Sequence, residues 1–123
     1  MDLNKKKILV VEDEKVMAQA LTLKLQRAGF DVLELHDGKS ALEQLRKESF
    51  DLLLLDIMMP ELSGYDVLKH LQEEKIELPV FVLSNLSQGS DEGKAKALGA
   101  KRYFVKSDTP LTQIVQEVQS ILL

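Results

Sequence analysis

Five polar side chains sit where short apolar runs stop, and these are the residues able to do chemistry as a group. Asp56 closes Leu52-Leu53-Leu54-Leu55, the pair Glu12-Asp13 closes Ile8-Leu9-Val10-Val11, Ser84 closes Val80 to Leu83, and Lys106 closes Arg102 to Val105. Each has a plain explanation by itself. Asp56 reads as a turn or capping residue, the acid pair as favourable charge at a helix start, Ser84 as a cap, and Lys106 as a solvated surface lysine. As a set they are hard to accept as separate accidents. Carboxylates held close together repel, by about 4 kcal/mol for a pair about 4 Å apart at an effective dielectric of about 20. A hard divalent cation with oxygen ligands relieves this, and Mg²⁺ suits a site that offers a few carboxylates and retains several waters. The charges of the carboxylates, one Mg²⁺ and Lys106 then cancel, so a phosphoryl group can enter without prohibitive repulsion. An Asp carboxylate is a competent phosphoryl acceptor. Metal and Lys106 would bind the phosphoryl oxygens and Ser84 would donate a hydrogen bond.

The elements that must carry these residues to one place follow from the pattern between them. Uninterrupted apolar runs are what strands buried on both faces look like, and open α/β sheets put ligand sites at the carboxyl ends of such strands. After the first strand, Glu14 to Ala28 reads as an amphipathic helix, with Met17, Leu21 and Leu25 at spacing four, Val16, Ala20 and Leu23 beside them, and Gly29 at C′. Asp31 to His36 alternates, as a strand near a sheet edge does, and Ser40 to Glu48 follows as a helix. Pro60 ends the third strand, and Ser63 with Asp66 makes a capping pattern for a helix over Gly64 to Glu74. Leu78 to Leu83 is a fourth strand with Pro79 at its start. Gln88 to Leu98 is a weak helix, since Gly89 and Gly93 each cost about 1 kcal/mol relative to alanine; Gly99 ends it. Arg102 to Val105 is a short fifth strand. Thr109 reads as N-cap and Pro110 as N1 of a last helix whose apolar positions are Leu111, Ile114, Val115, Val118, Ile121 and Leu122. Five βα units of this kind give an α/β protein, a doubly wound parallel sheet with helices on both faces. The common doubly wound orders place the first and third strands together near a switch point, so Glu12-Asp13 and Asp56 should converge.

The 123 residues are expected to form one domain, 1–123, with 45% hydrophobic and 29% charged residues, as in ordinary globular proteins. A net charge of -4 argues against direct nucleic-acid contact by this domain. Without cysteine there is no disulfide, thiolate nucleophile or zinc–thiolate site. Lys5-Lys6-Lys7 precedes an apolar run far too short for a secretory or membrane segment, so the expected location is cytoplasmic with no membrane contact. His36 and His70 read as a strand-end and a helix-surface residue.

The set V-V-E-D (Glu12, Asp13), L-L-D-I-M-M-P-E-L-S-G around Asp56, Ser84 after the fourth strand and G-A-K-R-Y-F-V-K ending on Lys106 resembles the receiver domain of two-component response regulators, over essentially the whole length. The resemblance implies a flavodoxin-like sheet in the order 2-1-3-4-5. It implies that Asp56 takes a phosphoryl group from a phosphohistidine on a partner histidine kinase or histidine phosphotransfer protein. It further implies Mg²⁺ held by Asp13, Asp56 and the backbone carbonyl of Met58, with Glu12 acting through water. Ser84 and Tyr103 match the family's switch pair, and the surface of the fourth helix, fifth strand and fifth helix is expected to change on phosphorylation. That surface would meet a downstream protein target or output domain, or a second copy in a homodimer. Such a domain is a signalling phosphoacceptor, not an enzyme beyond self-phosphorylation from phosphodonors and autodephosphorylation.

Some positions depart from the family pattern. Ser107 follows Lys106 where the family has proline, commonly cis; a non-proline cis bond costs about 2.5–4 kcal/mol, so a trans bond and a differently shaped loop are expected. Asn85 replaces a small residue, and with Met58 and Leu86 it is a candidate modulator of access to the phosphoryl group. Two other readings were weighed. An aspartyl-phosphate phosphatase or phosphotransferase would need an acid two residues after the nucleophile, where this chain has Met58. A receiver-like interaction module that is never phosphorylated sits poorly with Glu12, Asp13, Asp56, Ser84 and Lys106 all being present, while Asn85 and Ser107 leave it open.

Overall fold

The computed structural model describes residues 5–85 and 89–123. Among these, five parallel strands alternate with five α-helices: β1 (Lys7–Val11), α1 (Lys15–Arg27), β2 (Asp31–Leu35), α2 (Gly38–Lys47), β3 (Leu52–Asp56), α3 (Gly64–Glu73), β4 (Val80–Ser84), α4 (Gly89–Ala97), β5 (Arg102–Val105) and α5 (Leu111–Leu122). The sheet order is β2-β1-β3-β4-β5, as expected. The four leucines of β3 are fully buried, while β2 at the edge is only partly covered. Each strand's alternation therefore divides the core in two. Leu9, Val11, Leu53, Leu55, Val80 and Val82 pack under α2, α3 and α4, whereas Ile8, Val10, Leu52, Leu54, Phe81, Leu83 and Phe104 pack under α1 and α5.

Register brings the strand ends level. Val11 pairs with Leu55, Asp56 with Leu83, and Ser84 with Val105, so the residues that close four strands lie along one edge of the sheet. Helix α3 is anchored at that edge by the expected capping box: Ser63 accepts from Asp66 N–H, and Asp66 Oδ2 accepts from Ser63 N–H at 3.0 Å. Gly64 is required for close approach. A Cβ there would lie 2.4 Å from Asp56 O and 2.7 Å from Ile57 Cα, both backbone atoms that cannot give way. The glycines that close α1 and α4, Gly29 and Gly99, both have positive φ.

Several local expectations are corrected. Helix α1 buries the narrow stripe Ala18, Leu21 and Leu25, leaving Val16 84% and Leu23 46% exposed, because a short helix on a sheet face covers only one side. Strand β4 begins at Val80, one residue after Pro79, whose carbonyl still accepts from Leu53 N–H. At the last helix, Pro110 occupies the N-cap rather than N1. Residues Lys106–Asp108 turn as a 3₁₀ segment first, and the extended Pro110 (ψ 147°) delays the helix to Leu111. No peptide bond among the described residues is cis, Lys106–Ser107 included. The proposed start of the fourth helix at Gln88 and the candidate modulator Leu86 lie outside the described residues. No helix among the described residues is long and apolar enough to cross a membrane.

Candidate functional site

Asp56, the last residue of β3, is 1% exposed. Its Oδ1 accepts from Met58 N–H at 3.1 Å, a bond made as the chain turns over the strand end. Glu12, one residue beyond β1, is fully buried, and its Oε2 accepts from Glu14 N–H at 2.9 Å. Asp13 is half-buried beside it. One carboxylate oxygen from each of Glu12, Asp13 and Asp56 lies within 4.8 Å of the others. The convergence expected from the strand order is thus present.

Lys106 reaches this cluster from the turn after β5, with a trans peptide following it. Its Nζ lies 2.6 Å from Glu12 Oε1, 2.9 Å from Glu14 Oε1 and 3.3 Å from Asp56 Oδ2, and the side chain is only 7% exposed. Distance and angle do not agree across these contacts. Only the Glu14 contact has the alignment of a hydrogen bond. Glu12 Oε1 and Asp56 Oδ2 are close enough for ion pairing yet have no aligned donor. The ammonium neutralises the buried oxygens without satisfying their lone pairs.

The electrostatic consequences are large. Burial, then the neighbouring carboxyls of Asp13 and Glu12, push the Asp56 carboxyl up to about 8, with Lys106 pulling the other way. Burial works against the Lys106 charge, but the carboxylates of Glu12, Glu14 and Asp56 outweigh it and hold its ammonium above the ordinary lysine value. An all-oxygen donor set with two buried oxygens lacking an aligned donor suits a hard cation such as Mg²⁺.

Ser84 ends β4 fully buried, and Tyr103 on β5 lies partly buried against the core under α4. The Tyr103 phenol is pushed up by its burial, with the Ser84 side chain acting the other way. The two residues expected to move together lie on adjacent strands, with Tyr103 opposite Val82 and Ser84 opposite Val105. Asn85 is exposed at the bend after β4, and Met58 is 55% exposed on the loop after β3. His36 pairs with Glu34 at 2.7 Å and His70 with Glu74 at 3.3 Å, both apart from the acidic cluster.

Two features escaped the sequence reading. Glu14 was counted only as the start of the first helix, although the run Glu12-Asp13-Glu14 is a signal in itself: three consecutive acids at one strand end. Tyr65, in the first turn of α3, reaches toward α4. Its hydroxyl donates to Asp91 O at 3.4 Å and Lys94 Nζ sits 4.2 Å from the ring centroid. Nothing in the local pattern around Tyr65 marks that contact.

The family described as response regulator receiver domain matches residues 8–119. The alkaline phosphatase synthesis transcriptional regulatory protein PhoP of Bacillus subtilis is 37% identical over 95% of this chain. The chain spans about half the length of such relatives, 48% in the case of PhoP. Among solved structures, the receiver domain of the Francisella response regulator 1452 superposes with a TM-score of 0.91 at 30% identity, covering 96% of this chain and 97% of that one. The response regulator TrrA of Thermotoga maritima, solved in complex with Mg²⁺-BeF, superposes at 0.82 with 30% identity, covering 96% and 99%.

Proposed function

This chain belongs to the response regulator receiver domain family of two-component systems, and from that premise we propose that Asp56 is its phosphoacceptor. The observation that carries the reading is Asp56 Oδ2: buried, without an aligned hydrogen-bond donor, and 3.3 Å from the Lys106 ammonium. In the proposed reaction an Asp56 carboxylate oxygen forms a bond to phosphorus as the P–N bond of a partner's phosphohistidine breaks. The electron pair of that bond stays on the imidazole nitrogen. Met58 N–H keeps the carboxylate oriented through Oδ1. Lys106 exchanges a carboxylate contact for a phosphoryl oxygen, and Ser84 donates its hydroxyl, with Tyr103 following on the adjacent strand. Asp13, Asp56 and the Met58 backbone carbonyl would hold Mg²⁺, with Glu12 acting through water; bound there, the ion supplies positive charge against the phosphoryl oxygens. The solved Mg²⁺-BeF complex of the similar response regulator TrrA supports a Mg²⁺ site in this chain.

The output of the reaction would be a change in the face made by α4, β5 and α5. Helix α4 is the natural moving part, since its first turns carry Gly89 and Gly93 and it buries little beyond Ala95. A downstream protein or a second copy of the chain would read that face. We place the domain in the cytoplasm with a histidine kinase or phosphotransfer protein as donor.

The test is direct. With Mg²⁺ and acetyl phosphate, intact mass should show one added phosphoryl group, and Asp56→Asn should abolish it. A wild-type protein that gains no mass from acetyl phosphate, phosphoramidate or a panel of kinases would overturn the reading in favour of an interaction module.

A further inference from the structure

Glu14 is the N-cap of α1, yet its side chain makes no capping hydrogen bond. It reaches instead to a lysine 92 residues away, and holds the one aligned hydrogen bond that Lys106 makes among the three carboxylates around it. The three partners differ in exposure. Glu12 and Asp56 are 0% and 1% exposed and pair with no other cation among the described residues, whereas Glu14 is 56% exposed. Water can therefore replace Lys106 at Glu14 at little cost, and cannot do so at the other two. The aligned bond of Lys106 thus goes to the exposed member of the three, while Glu12 Oε1 and Asp56 Oδ2 stay without an aligned donor.

Resting on the phosphoacceptor reading of Asp56, we propose that Glu14 is a positioning residue: its carboxylate holds the aligned hydrogen bond of Lys106 and competes with the incoming phosphoryl oxygen for the ammonium. Glu14 thereby sets how readily the site takes up phosphate. On entry of a phosphoryl group the Glu14–Lys106 bond is the one given up, and when phosphate leaves it re-forms.

The experiment compares wild type with Glu14→Gln and Glu14→Ala, using Glu61→Gln, an exposed acid on the loop after β3, as a control for general surface charge. Without Mg²⁺ or donor, the Lys106 ammonium resonance in ¹H–¹⁵N spectra should move in both Glu14 variants and stay in place in Glu61→Gln. With Mg²⁺, both Glu14 variants should bind beryllofluoride more tightly by calorimetry. They should also accept phosphate faster from acetyl phosphate and from phosphoramidate alike. An ion pair with one solvent-exposed partner sets the scale of both effects at roughly 2- to 5-fold. An unmoved resonance overturns the proposal, as do unchanged or weaker beryllofluoride binding and an equal gain in Glu61→Gln. A gain confined to the more anionic donor also overturns it, since that would mark simple repulsion. If the resonance moves but no variant, wild type included, takes up a phosphoryl group, the phosphoacceptor reading has failed and this proposal falls with it.

Discussion

Asp56→Asn should stabilise the metal-free protein, although it removes the group on which the proposed function depends. The substitution keeps the shape and an oxygen able to accept from Met58 N–H, and it deletes one buried charge. Within the 4.8 Å that encloses the three carboxylates, each like pair repels by about 3.5 kcal/mol or more at an effective dielectric of about 20. Asp56 has two such neighbours, so its charge is opposed by about 7 kcal/mol. Attraction to Lys106 at 3.3 Å returns about 5 kcal/mol on the same scale. The balance is about 2 kcal/mol against the ionised Asp56, before the cost of burying it. The pH dependence has a definite sign. A carboxyl raised to about 8 in the folded state binds its proton more tightly there than in the unfolded chain, so wild-type stability falls as pH rises from the ordinary carboxyl range through that value. The advantage of Asp56→Asn should therefore be small near pH 4, grow toward pH 8 and level off above it. Urea unfolding in EDTA across this range measures it. Added Mg²⁺ should stabilise wild type and narrow the gap. If Asp56→Asn is no more stable than wild type at pH 7.5 in EDTA, repulsion among these carboxylates is not what the site stores.

Lys106→Met removes the opposite charge and should do the reverse: with Glu12 and Asp56 left buried without a counter-ion, urea unfolding in EDTA should show a loss of about 3–5 kcal/mol. Ser63→Ala breaks the cap of α3 and should cost about 1 kcal/mol by thermal or urea unfolding at neutral pH. The backbone N–H of Ser63 and then its hydroxyl hold the Asp66 carboxyl below its ordinary value; Ser63→Ala loses only the hydroxyl's share, which is present above the usual carboxylate range and lost as pH falls through the lowered value, so the wild-type advantage should shrink there. Tyr65→Leu keeps an apolar side chain in the α3–α4 seam but removes the Asp91 and Lys94 contacts, and should speed amide hydrogen exchange in α4 several-fold while leaving α1 and α5 unchanged.

What could be read from the sequence follows the range over which each cause acts. The strands of the core were legible because burial on both faces demands unbroken apolar runs, and Leu52 to Leu55 has no competing explanation. The capping box of α3 was legible because Ser63 and Asp66 are both partners and near neighbours in the chain. Where a local signal met a non-local one, the local one misled. Thr109-Pro110 has the form of a helix start, but the 3₁₀ turn that carries Lys106 to the acidic cluster displaces that start to Leu111. Val16 fits an apolar helix stripe, but the packing of α1 against β1, β2 and α5 turns Ala18 inward instead.

Glu14 shows why the site itself was only partly legible. An acid at a helix start is already accounted for by the helix dipole, so nothing in its neighbourhood calls for a second role. The account fails only in three dimensions, where the expected cap is missing and the carboxylate is bound to Lys106. The same reasoning applies to the other charges at the strand ends: each satisfies a local rule, and what distinguishes them is the imbalance they create together. Buried oxygens that have a cation nearby but no aligned donor are the physical form of that imbalance. It is relieved by a ligand that brings positive charge, by one that lets Lys106 turn, or by a proton on Asp56. A site built from individually unremarkable residues therefore declares itself through what its members fail to satisfy in one another, and that failure is a property of the folded arrangement alone.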